Sequence, residues 1–175
     1  MKYKDIFKNW KLNLSTKHLI IIITIFFLMV FLKNIFTILL LFLIGGLSMF
    51  HKKYKFGLGV ELVTFSSVIC GIKFGPLTGF IIGFFSSLFG FLIGEDIHDG
   101  MLLSVFLFGF IGLVSGVFPN INIFILGLTL AVMYDLFFIL KGLLTGINPI
   151  NYFLFYLTHI ISNYLAFKYL TKIFI

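Results

Sequence analysis

Glu61, Thr64, Tyr134, Asp135, His159 and Asn163 are the side chains best able to do chemistry within this chain's apolar stretches. An acid at the centre of a membrane helix costs about 2.5–3.5 kcal/mol on insertion scales, so each ionisable group there needs a reason. Glu61 and Thr64 are three residues apart, and His159 and Asn163 four apart, so each pair shares a helix face. Tyr134 and Asp135 are adjacent, near the middle of a long apolar run. Acid, imidazole, amide and hydroxyl groups converging in an apolar cavity make a site for a small molecule. Blander readings of the same residues stay open. Asp135 and His159 can pair with each other across two helices, Glu61 can lie at the interface touching water or headgroups, and Asn163 can serve as an interhelical hydrogen bond.

Other chemistries find no motif. There is no His-Glu-x-x-His, no CxxC, no local Ser–His–Asp context and no second aspartate clearly inside a span. No enzyme activity and no cofactor are therefore expected. Asp96, His98 and Asp99 have the residue types of a metal site, but one short loop without a second cluster does not make one, and no metal is expected. Cys70, the single cysteine, reads as a small packing residue in a span.

Apolar residues make up 61% of the chain and charged residues 11%, against about half and a quarter in soluble domains. Such a chain is integral to a membrane, and at about 20 residues per span its 175 residues hold six or seven helices. The expected fold is all-α, a polytopic helical bundle in the cell membrane. Residues 1–17 read as a basic amphipathic leader on the membrane surface, and 18–175 as one transmembrane domain. The apolar runs cover about 18–32, 35–50, 58–73, 76–94, 101–118, 121–144 and 150–172. Short separators, such as Lys33-Asn34 and Phe74-Gly75-Pro76, force neighbouring helices antiparallel.

All thirteen basic residues are lysines, and they sit mainly at segment ends, where they anchor helices at the membrane surface. The net charge of +7 therefore does not point to nucleic acid. The leader lysines, Lys73, Lys168 and Lys172 all favour the cytoplasm. They agree only if 18–50 crosses once, as a long tilted or broken helix, which gives six crossings and an outer Glu95–Asp99 loop. Gly79 and Gly83, and Gly109, Gly112 and Gly116, form small-residue stripes that allow close helix packing. No Gly-Lys-Ser/Thr phosphate loop is present, so active transport would draw its energy from a partner or an ion gradient.

Glu61-Leu-Val-Thr64, Gly71-Ile-Lys-Phe-Gly-Pro76, Gly79-Phe-Ile-Ile-Gly83 with Ser86-Ser87, Tyr134-Asp135-Leu136 and His159-Ile-Ile-Ser-Asn163 together resemble the substrate-binding S components of energy-coupling factor (ECF) vitamin transporters. The resemblance covers roughly 57–172. It implies about six helices, capture of a vitamin or related micronutrient from outside, and docking on a transmembrane T component driven by two cytoplasmic ATPases. The substrate-binding role it implies falls on Glu61, Thr64, Asp135, His159 and Asn163. Residues 83–116 also resemble bacterial rod-shape proteins of the MreD kind, which implies a scaffold without transport. A third reading is an ion-coupled carrier with Asp135 as its protonatable group.

Overall fold

Thr16–Ser48 forms a single helix of 33 residues, α1. The computed structural model describes residues 16–98 and 100–175; most of the expected leader, residues 1–15, and Asp99 lie outside the described residues. Lys33-Asn34, expected to separate two runs, instead lies inside α1. Lysine is a good helix former and asparagine costs only tenths of a kcal/mol, so neither residue breaks a helix.

The chain divides after Phe36 into two compact units. In the first, every side chain from Leu19 to Phe36 stands exposed along the helix. The second, Thr37–Ile175, holds the rest of α1, a 3-10 turn at Met49–Tyr54, α2 (Val63–Phe74), α3 (Pro76–Ile93), α4 (Met101–Val117) and α5 (Ile123–Leu144). A second 3-10 turn, Pro149–Tyr152, leads into α6 (Phe153–Leu165), which runs through a π-helical turn at Ala166–Leu170 into the short α7 (Thr171–Phe174). No strand occurs among the described residues. The fold is an all-α bundle.

Its polarity is inverted relative to a soluble domain. Leu77, Phe106, Ile125 and Leu144 stand exposed on its outside, while Ser66, Ser67, Ser86, Ser87, Ser104 and Ser115 are buried within. Three helical stretches are long and apolar enough to cross a membrane: His18–Tyr54, Pro76–Ile93 and Ile123–Leu144. These helices mark a membrane protein. Val63–Phe74 and Met101–Val117 are apolar but shorter.

α2 is the central element, with nine of its twelve residues buried. At 1.5 Å per residue it is only about 18 Å long, against about 30 Å of hydrocarbon. A non-helical segment, residues 57–62, precedes it. The expected helix over 58–73 therefore begins only at Val63. Non-helical backbone is tolerated at membrane depth only where protein surrounds it and meets its hydrogen bonds. Here the Gly59 amide donates to Thr158 Oγ1 at 2.8 Å and the Leu62 amide to Ser48 Oγ at 2.8 Å.

The expected glycine stripes meet as α3 packs on α4. A β-carbon built at Gly79 would lie 2.6 Å from the Gly71 Cα and would strike the Gly112 carbonyl. One at Gly83 would lie 2.6 Å from the Phe108 carbonyl carbon, one at Gly109 would lie 3.0 Å from the Phe80 ring, and one at Gly116 would run into Pro76. The backbones touch because these side chains are absent.

The turns of the second unit fall at two ends. Lys52 and Lys53 pair with Asp96 and Glu95, which brings the Met49–Tyr54 turn beside the loop after α3. At the other end Lys73 Nζ donates to the Phe174 carbonyl, tying the α2–α3 turn to the C-terminus.

Candidate functional site

Glu61 stands near the end of the non-helical segment, where its carboxylate meets the first turn of α2. The Thr64 amide donates to Glu61 Oε2 at 2.9 Å, satisfying an amide that the helix itself leaves unpaired. The partial positive charge of that helix end favours a carboxylate there. Glu61 Oε1 lies 2.9 Å from His159 Nε2 and accepts from Asn163 Nδ2 at 3.0 Å. The four-residue spacing on α6 is what lets both side chains reach one oxygen. Gly59 makes the approach possible, since a β-carbon there would lie 2.7 Å from the His159 Cβ.

The other face of the imidazole meets α5. His159 Nδ1 lies 2.8 Å from Asp135 Oδ1. That approach falls outside hydrogen-bond alignment, and neither Asp135 oxygen has a hydrogen-bond partner. The contact is one of apposed charges, not an aimed bond. Glu61 thus gathers three donors, while Asp135 has a single misaligned neighbour. Thr64 Oγ1 and Asn163 Oδ1 are also buried without a hydrogen-bond partner.

An ionised carboxylate only accepts hydrogen bonds, so the contact to Glu61 Oε1 calls for a proton on His159 Nε2. His159 Nε2 is engaged by Glu61, while Nδ1 has no aligned hydrogen-bond partner. The arrangement cross-links the loop before α2 to α5 and α6. Among the described residues no group of three or more His, Cys, Asp or Glu side chains is set to hold a metal ion.

Above this cluster lies a cavity of about 770 Å³. Its wall includes Phe91 from α3, Ser104 from α4, Tyr134 and Phe138 from α5, and Phe155 and Tyr156 from α6. Glu95, Asp96, His98, Lys52, Lys55 and Lys141 line it toward the loop end. Tyr134 and Phe155 connect the cavity to the buried cluster. The His159 ring stacks on Phe155 at 5.9 Å between centroids and leans on Tyr134 at 5.4 Å. Tyr134 is held in turn by Phe108, stacked at 4.6 Å.

Of the six residues expected to bind substrate, only Tyr134 lines this cavity. Glu61, Thr64, Asp135, His159 and Asn163 do come together, as Glu61, Asp135, His159 and Asn163 in one network and Thr64 through its amide, but all five are buried. They sit behind the aromatic wall. The open alternative in which Glu61 touches water or headgroups does not describe its environment. The pairing of Asp135 with His159 is present, with Glu61 added on the far nitrogen.

Sequence reasoning missed Lys52, Lys141, Phe91, Phe155 and Gly59. The lysines look like surface anchors, and any one phenylalanine among 26 carries no signal of its own. The rim also holds the described non-glycine residues with left-handed backbone, Lys55 (φ 55°) and Glu95 (φ 49°). Such conformations cost of order 1–3 kcal/mol and gather at functional sites. Comparison with protein-family models, with curated proteins and with solved structures finds no match for this chain.

Proposed function

We propose that this chain is a multi-pass protein of the cell membrane that captures a small molecule from outside, in the manner of the substrate-binding subunit of an ECF-type transporter. The observation that carries the reading is the cavity of about 770 Å³ above a fully buried Glu–His–Asp cluster. Its volume lies within the roughly 300–1,000 Å³ of small-molecule sites, and its wall combines aromatic rings with charged groups toward the loop end. A scaffold has no use for such a cavity. The ligand is a vitamin or related micronutrient in this reading, and delivery falls to a T component with two cytoplasmic ATPases.

The test is mass spectrometry of small molecules released from protein purified gently from its native host. One compound near stoichiometric amount is the expected result. Empty protein that brings down wall-synthesis partners overturns the reading in favour of the MreD-like scaffold. The buried cluster favours a second reading, an ion-coupled carrier. Uptake by the chain alone in liposomes, driven by a pH gradient, would establish it over the first.

A further inference from the structure

We infer that the cavity is built for a planar aromatic molecule carrying an anionic group. The inference rests on the proposed binding function and specifies its ligand. Two features of the wall carry it. The first is ring content: Phe91, Phe138, Phe155 and Tyr156 come from three different helices to one space. Rings brought in from several sides favour a flat ligand, since aromatic pairs gain about 0.5–1.5 kcal/mol beyond their buried area.

The second feature is the placing of charge. Lys52, Lys55 and Lys141 line the cavity. The two described carboxylates there are already engaged, Asp96 with Lys52 at 3.2 Å and Glu95 with Lys53. The Lys52 ammonium lies 4.4 Å from the Phe91 ring centroid and 5.8 Å from that of Phe155, and Lys141 Nζ lies 5.7 Å from the Phe138 centroid. An ammonium has three donors, so Lys52 keeps two after its bond to Asp96. A ring lying against the aromatic wall brings its anionic substituent to these same ammonium groups. A cationic ligand would face three lysines at the same distance.

The test uses the full chain in nanodiscs of zwitterionic lipid, with a matched set of probes. These are 2-naphthoate, its neutral amide 2-naphthamide, 2-naphthylmethylammonium, and decanoate as an anion without a ring. Calorimetry is expected to show 2-naphthoate binding at least about tenfold tighter than each of the other three, the size of one charge-assisted hydrogen bond. Lys141→Met should remove most of that preference and leave naphthamide unchanged. Lys52→Met is the second variant, and Phe155→Leu should weaken 2-naphthoate and 2-naphthamide alike. Each variant is read only as monodisperse protein.

Preference for the ammonium probe, equal binding of decanoate, or naphthoate binding untouched in both lysine variants would overturn the inference. So would displacement of naphthoate by phosphatidylglycerol, which would make the cavity a lipid-headgroup site. In each of those cases a compound released from the native preparation would still uphold the binding function. Absence of binding by all four probes, together with an empty native preparation, sinks both.

Discussion

Glu61, His159 and Asp135 are unequal partners, and their inequality is testable. Removing one member of a buried charged pair typically costs 3–5 kcal/mol, because the other is left uncompensated. His159→Ala strands two carboxylates and should give the largest fall in thermal stability in detergent. Glu61→Gln removes a group with three donors and should come next. Asp135→Asn gives up one misaligned contact, so about 1–2 kcal/mol is the expected scale for a single polar interaction. A melting series in which Asp135→Asn matches His159→Ala would show that the Asp135 contact is stronger than its alignment implies. Much of this cluster was legible: Asp135, His159 and Asn163 stood out as polar residues in apolar runs, and the α6 spacing put the last two on one face. Glu61 was expected among them as well; its direct bond to His159 was not legible, because it depends on Gly59 letting the non-helical segment before α2 press against α6, a contact 98 residues apart in sequence.

At the scale of elements, composition announced helices but not where each began. The apolar stretch 58–62 has the character of the helix that follows, and nothing in hydrophobicity separates the two. The difference lies in hydrogen bonding, through Ser48 and Thr158, which belong to other helices. Lys33-Asn34 misled in the opposite sense, since polarity alone does not end a helix. The glycine stripes were read more directly, because close approach has few other sequence causes in lipid. Gly112→Val is expected to separate α3 from α4 and abolish recovery of monodisperse protein. Gly142→Ala is the control on α5, where a β-carbon would find its nearest neighbour at an ordinary 3.5 Å. It should be neutral or stabilising by up to about 1 kcal/mol, the usual helix preference for alanine over glycine. Recovery of Gly112→Val at the level of the control would show that the tight α3–α4 contact is dispensable.

For the whole molecule, in the proposed reading of a cell-membrane protein, the question is which end faces the exterior. Lys73 bonded to the Phe174 carbonyl puts the α2–α3 turn with the C-terminus. Lys168 and Lys172 belong to that same terminal stretch, so three lysines argue together for a cytoplasmic face. The opposite end carries Lys52, Lys53, Lys55 and Lys141, which by charge alone would argue the reverse. There, however, Lys52 and Lys53 are paired with Asp96 and Glu95, so part of that positive charge is locally neutralised. The expectation is therefore that the cavity opens outward. Cys70 is fully buried, so single-cysteine variants can be built on a Cys70→Ser background. Ile97→Cys, at a position 73% exposed in the loop over the cavity, should react with a membrane-impermeant maleimide in intact cells. Phe118→Cys, beyond the far end of α4, should react only after the cells are opened. The reverse pattern would turn the cavity toward the cytoplasm. The same cavity would then serve release or sensing of an internal compound, and capture from outside would have to be abandoned.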